Sequence, residues 1–397
     1  MQPLRGLTVV SLEQAIAAPF ATRQLADLGA RVVKVERPGL GDFARAYDQR
    51  VKGLASHFVW TNRSKESLTL DLKSPRALEL LVQLITTQAD VVVQNLAPGA
   101  AARLGLSWDA FKVQRPDLIW CDISGYGDDP GAPGPYRDKK AYDLLVQSES
   151  GLVSITGTPG EPSKSGLPVA DIAAGMYAFG NIQSALLQRH IDGQGRRIDI
   201  SMLEALGEWM GYPMYYAMDG APPPPRAGAA HATIYPYGPF PCADGKTVML
   251  GVQNEREWLQ FCTQVLQQPA LATDERFLGN AQRNANREAL RVLITDAFLS
   301  LSLQAVVQRL EDAQIASAEL RDMAGLWQHP QLAARQRWRQ VDTPAGSVPA
   351  LLPPGSWTDD DPLLGAVPAV GQHTDAILHE LGVGETEIAA LRAAAII

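Results

Sequence analysis

At 397 residues, 46% hydrophobic and 20% charged, the chain has the composition of an ordinary soluble protein and is long enough for a large core and two domains. A formal net charge of −8 and a pI near 5.3 exclude a general nucleic-acid binder, while leaving room for a local basic pocket that holds a phosphorylated small molecule. Cys121, Cys242 and Cys262 are widely spaced in apolar surroundings and read as reduced core thiols; with no signal peptide and no run of about 18 apolar residues, a cytoplasmic protein without a membrane span is expected.

The opening reads as a βαβ unit. "LTVVSL" (7–12) is a short apolar strand, "PFATRQLADLG" (19–29) has helical spacing and a closing glycine, and "ARVVKVE" (30–36) is a second strand. The alternation continues with a strand at 67–72, a helix at 74–88 with proline in its first turn, and strands at 90–96 and 117–127. Such alternation predicts an α/β fold around a mostly parallel sheet covered on both faces. The Pro-, Gly- and Ala-rich stretch 219–231 reads as a linker. Beyond it, 237–252 looks like two strands around a turn at Asp244-Gly245, and 255–318 is largely helical, with "NREALRVLITDAFLS" the clearest periodic segment. Pro-rich loops follow residue 325, and the tail reads as two short helices split by Gly382 and Gly384.

Several familiar motifs fail. The loop after the first strand, "EQAIAAP", has no glycine, so a backbone cradle for a dinucleotide pyrophosphate is not expected. In "GTPGEPSKSG" (157–166) the phosphate-loop order is absent, and Pro159 and Pro162 remove two donors. The six histidines show no metal-ligand spacing, and no G-x-S-x-G elbow occurs.

Asp171 survives. It opens "DIAAGMYAFGNIQSALLQR", a segment with no further charge until Arg189. Asp is a favoured N-cap, so a helix beginning at Asp171 is the plain structural expectation. Its first turns, Ile172 to Phe179, are apolar on every face and predict a buried helix. A carboxylate at the mouth of such a helix is partly desolvated, which also suits a nucleophile. Arg37, Lys73 and Asn95 lie at or just past the ends of successive early strands, and Arg103 lies on the helix that follows. Together they form a candidate phosphate-recognising set, although each taken singly is an ordinary surface group or cap.

The segments "LRGLTVVSLEQAIAAPFATRQLADLGARVVKVERPGLGD", "LTLDLKSPRALELL", "ADVVVQNLAPGAAARLGL", "AYDLLVQSESGLVSITG", "VADIAAG" and "GQHTDAILHELG", in this order along nearly the whole chain, resemble the family III CoA-transferases of the formyl-CoA transferase and carnitine CoA-transferase group. The resemblance implies a Rossmann-like large domain built from both termini (1–218 and, after a return linker, 321–397), with a smaller α+β domain (232–320) between and residues 219–231 as linker. It also implies an interlocked homodimer. Asp171 matches the family's nucleophile in "D-x-x-x-G". Ile16 and Ala17 match positions that line the thioester and pantetheine. Arg37, Leu70, Lys73, Asn95, Leu96, Arg103 and Lys140 match positions that hold the nucleotide part of CoA. Asp143 matches a position where some members have a catalytically relevant glutamate.

By this resemblance CoA and acyl-CoA are substrates, with no prosthetic group and no metal. Asp171 attacks the donor thioester, giving an aspartyl anhydride and then an aspartyl-CoA thioester, and an acceptor carboxylate carries the CoA away. Ile16, where oxalate-using members have glutamine, and "GVQNEREW", where they have a glycine-rich loop, point away from oxalate or formate. A small dicarboxylate such as succinate, mesaconate or itaconate is expected. His231, Tyr235 and Tyr237 are candidates to contact the acyl group or, equally, to pack as an aromatic hinge. The main rival, a 2-methylacyl-CoA racemase, pairs the aspartate with a histidine in "G-H-D", where this chain has Ala141-Tyr142-Asp143. A catalytically silent CoA-binding subunit is the other alternative.

Overall fold

The structure, a computed structural model, describes residues 2–355 and 364–397; residues 356–363, part of the Pro-rich stretch expected after 325, lie outside the described residues. Near-continuous Val, Ile and Leu runs form the sheet that organises the larger part of the chain. Strands β1 (Thr8–Leu12), β2 (Arg31–Glu36), β3 (Lys65–Thr69), β4 (Val91–Gln94), β5 (Ile119–Ser124) and β6 (Arg197–Ser201) lie in the order β3-β2-β1-β4-β5-β6, every pair parallel. Val9 sits between Val32 and Val91 in register, as suits strands covered on both faces. The order reverses between β1 and β4, the kind of switch point at whose carboxyl end α/β proteins bind ligands. Strand β6 is not announced by the sequence pattern. Its "RIDIS" alternates with charge, and Arg197 bonds Asp122 of β5 at 2.7 Å.

Alternate residues along the strands face different layers. Val10, Val33, Val35 and Leu68 pack with Leu80, Leu81, Leu84 and Ile85, and with Ile377, Leu378, Ile388 and Leu391 of two carboxyl-terminal helices, Thr374–Glu380 and Glu385–Ala393. Burying each such side chain contributes about 1.5–3 kcal/mol. Helix α1 (Ala17–Asp27) contacts β1, β2 and β4, while α2 (Pro75–Gln88) supplies the leucines just named.

The chain divides into two compact units. One comprises Met1–Ser150, Ser165–Gly211 and Ala334–Ile397; the other comprises Gly151–Lys164 and Tyr212–Ala333. The second holds Gly151–Lys164 through Arg226, which donates to the carbonyls of Ser154, Thr158 and Pro159. Its strands β7 (Tyr237–Pro241), β8 (Thr247–Gly251) and β9 (Ala316–Glu319) form an antiparallel sheet. The turn at Asp244-Gly245 is where the sequence placed it, with Gly245 at φ +74°. Strand β9, inside the stretch expected to be helical, is a short polar edge strand that apolar periodicity cannot reveal. Phe240, Trp258, Phe261 and Phe298 fill this unit's own core.

Candidate active site

Asp171 does not begin its helix. Helix α3 spans Asp143–Glu149, and helix α4 runs Val169–Asp192 behind Pro168, which offers no side-chain cap, so Asp171 falls within the first turn. The cap comes from a carboxylate 28 residues earlier. Asp143 Oδ1 accepts the Ala170 N–H at 2.8 Å and the Asp171 N–H at 3.4 Å, and Oδ2 accepts Gln147 Nε2 at 2.6 Å. Buried Gln147 in turn accepts the Ser165 N–H, fixing the approach to the helix. Capping is thereby taken over, and the half-buried Asp171 carboxylate makes no hydrogen bond or ion pair among the described residues. Burial first, and then the Asp143 charge, push its carboxyl up to about 7. Nor is α4 buried all round, as the apolar run suggested, for Met176, Leu187 and Ile191 are exposed.

Small residues let α4 lie against α1. Ala170, Ala173, Ala174 and Ala178 are buried, and a Cβ on Gly175 would stand 2.8 Å from the Ala17 carbonyl oxygen and 2.9 Å from the Phe20 ring. Residues four apart share a helix face, so Asp171 stands one turn before Gly175, which meets Ala17, the first residue of α1. Ile16 precedes α1, Ala17 opens it, and both are buried.

The turn between β1 and α1 is gripped from several sides. Asn95 accepts the Gln14 N–H at 2.8 Å and donates back to the Gln14 carbonyl at 2.9 Å, so its amide is engaged in fixing this turn. Ala15, with φ +62°, gives its N–H to Asp42 Oδ1 at 3.1 Å. Behind the turn lies a layer of buried ions. Glu13 meets Lys65 Nζ at 2.6 Å and Lys34 Nζ at 3.3 Å; Lys34 meets Asp42 Oδ2 at 2.7 Å; Glu36 meets Arg45 and Ser67. Burial pushes the Glu13 carboxyl up, but Lys65 and Lys34 more than offset that and hold it below the usual range. The sequence reading missed this layer. Its signal is a lysine inside "VVKVE", a run otherwise apolar enough for a doubly covered strand.

The expected CoA contacts divide into two kinds. Arg37, Lys73, Arg103 and Lys140 are exposed, and none makes an ion pair among the described residues. Arg37 follows β2, and Lys73 follows the neighbouring β3, so both stand at the carboxyl edge of the sheet. Leu70 and Leu96 are apolar. Leu70 lies in the aliphatic core beside α2, and half-buried Leu96 packs against that core.

Tyr47 was not singled out by sequence. Burial, and then the charges of Asp42 and Asp171, push its phenol up to about 12. It packs edge-on against His57 and beside Phe43. In the second unit His231 stacks on Tyr237 at 5.3 Å, and its Nδ1 accepts the N–H groups of Thr233 and Ile234, while Tyr235 is buried in that unit's core. Among the described residues, no group of three or more His, Cys, Asp or Glu could hold a metal ion, and no single helix is long and apolar enough to cross a membrane.

Comparison with known proteins gives a consistent answer. Residues 4–374 match the model of CoA-transferase family III. A succinate–glutarate CoA-transferase of Agrobacterium fabrum is 35% identical over 87% of this chain and 87% of its own length. A succinyl-CoA:mesaconate CoA-transferase of Haloarcula hispanica is 32% identical over 97% and 98%. The crystal structure of a CAIB/BAIF family protein from Brucella suis superimposes with a TM-score of 0.83 at 33% identity, covering 96% of this chain and 99% of that one.

Proposed function

Because the chain belongs to CoA-transferase family III, we propose that it moves CoA from an acyl-CoA donor to a small dicarboxylic acid through covalent intermediates on Asp171. The observation that carries this reading is a half-buried Asp171 carboxylate, free of side-chain partners and raised to about 7, beside the opening of α1. A carboxylate spared hydrogen bonds keeps its electron pairs available, and a raised pKa makes its ionised form a better nucleophile.

Asp171 attacks the donor thioester carbonyl; the C–S bond breaks, leaving an aspartyl anhydride and CoA thiolate. The thiolate attacks the aspartyl carbonyl, releasing the donor acid and leaving an aspartyl-CoA thioester. The acceptor carboxylate then displaces the thiolate to form a second anhydride. Attack of the thiolate on the acceptor's acyl carbon completes the new thioester and frees Asp171. The sulfur ester's energy is retained throughout. Asp143 anchors the nucleophile's helix and, by its charge, keeps the carboxyl of Asp171 high. Arg37, Lys73, Arg103 and Lys140, exposed and unpaired, are assigned to the phosphates of CoA, for which charge-assisted bonds are strongest. Ile16, Ala17, Leu70, Asn95 and Leu96 are assigned to the thioester, pantetheine and adenosine region.

Dicarboxylate acceptors are favoured because the Agrobacterium and Haloarcula relatives carry succinate, glutarate and mesaconate in their names. The reading includes a Rossmann-like domain closed by both termini and an interlocked homodimer. The latter is supported by apolar groups that one chain leaves exposed, among them Leu187, Ile191, Trp209 and Tyr215. A cytoplasmic location suits three buried free thiols.

Mass spectrometry tests the core of it. Incubation with succinyl-, glutaryl- and acetyl-CoA, followed by hydroxylamine or borohydride, is expected to leave a hydroxamate or alcohol on Asp171. No adduct with any donor, together with α-proton exchange in heavy water, would replace transfer by racemisation.

A further inference from the structure

We propose that Asp42 is a positioning residue of the transfer reaction, holding the Ala15–Ala18 turn at the start of α1 against Asp171; this rests on the reading of Asp171 as nucleophile. Asp42 is fully buried in the layer beneath the turn. Its Oδ1 accepts the N–H groups of Ala15 at 3.1 Å and Ala44 at 2.9 Å, its Oδ2 accepts Lys34 Nζ at 2.7 Å, and its own N–H goes to Glu36 at 2.8 Å. One carboxylate therefore joins the turn after β1, strand β2 and the loop after it that carries Ala44 and Tyr47.

The turn needs such a hold. Ala15 sits at φ +62°, a conformation a residue with a Cβ adopts only when its surroundings enforce it. Asn95 secures Gln14, and the helix's own bonding begins with the Phe20 N–H to the Ile16 carbonyl. Between Gln14 and Phe20, Ala15 is the only peptide donor with a partner among the described residues, and that partner is Asp42. Without it, Ala15 is free to return to a negative φ, which would swing the Ile16 and Ala17 peptides beside the nucleophile. A displacement of about 1 Å at a reacting centre slows chemistry by about 10²-fold.

Two double variants isolate the acceptor role of Asp42 toward Ala15 and Ala44 from its ion pair. Lys34→Met with Asp42→Ala removes the ion pair and the acceptor together, leaving no buried charge unpaired. Lys34→Met with Asp42→Asn removes the ion pair alone, because the amide oxygen still accepts from Ala15. We expect both to bind CoA like the unaltered protein. The alanine form should build the trapped Asp171 adduct about 10²-fold more slowly in single turnover than the asparagine form. Equal rates would overturn the positioning role alone; no adduct in the unaltered protein would overturn the transfer reading and the positioning role with it. Should either variant fail to fold, amide exchange in the unaltered protein decides. An Ala15 N–H exchanging as fast as the unbonded Ala17 and Ala18 N–H groups would overturn the proposal, and clear protection of Ala15 supports it.

Discussion

Toward α2 the sheet presents Val10, Val33 and Leu68, and the residues that meet them are leucine and isoleucine. One position along the same strands, Ser11, Lys34 and Ser67 stand in register, and Lys34 reaches into a layer of Glu13, Asp42 and Lys65. Both regions exclude water, but they fix different things. Aliphatic contact is non-directional, so the first supplies stability and tolerates small shifts. Buried ions each need a partner at a defined distance, so the second supplies location, and the candidate site lies over it.

Four substitutions probe that contrast, in descending size. Asp171→Asn should lower turnover by on the order of 10³-fold or more, read from CoA transfer between succinate and glutarate. The same change should stabilise the fold in alkali. The Asp171 carboxyl rises from 3.8 to about 7 on folding, so its contribution is most favourable below about pH 4 and is lost as pH rises to 7. Thermal melts should show the variant above its parent at pH 8 and level with it near pH 4. In the ionic layer, Lys34→Met strands Asp42, while Glu13 keeps Lys65, and should cost about 3–5 kcal/mol in urea unfolding. In the aliphatic layer, Ile85→Val should cost about 0.5–1.5 kcal/mol and leave turnover per folded molecule unchanged; an equal loss of turnover would erase the distinction between the layers. Asp143→Asn keeps a capping oxygen but removes a charge facing Asp171. The acid limb of kcat/KM should move below pH 7 with its plateau retained.

How much of this the sequence discloses follows the same division. Strands β1 to β5, helices α1 and α2 and the paired tail helices are readable because apolar periodicity reports burial against one layer. Strand β6 escapes because its charges pair sideways along the sheet, and β9 because it is short, polar and at an edge. Asp171 is visible as an isolated charge before an apolar run. Its freedom is not visible, because the cap that releases it is Asp143, a partner set by folding and absent from local spacing. Lys34 and Asp42 carry a readable anomaly, charge beside a buried strand, but which oxygen meets which peptide is a product of three loops converging.

The exposed cations at the carboxyl edge have a consequence for encounter. A chain of net charge −8 repels a polyanionic ligand over most of its surface. Arg37 and Lys73, exposed and outside any ion pair among the described residues, put positive charge at the carboxyl edge of the sheet, where it attracts a polyanion. Salt screens such fields over about 8 Å at physiological strength, so ionic strength acts on how often a phosphorylated ligand arrives in the right place more than on how firmly it is kept.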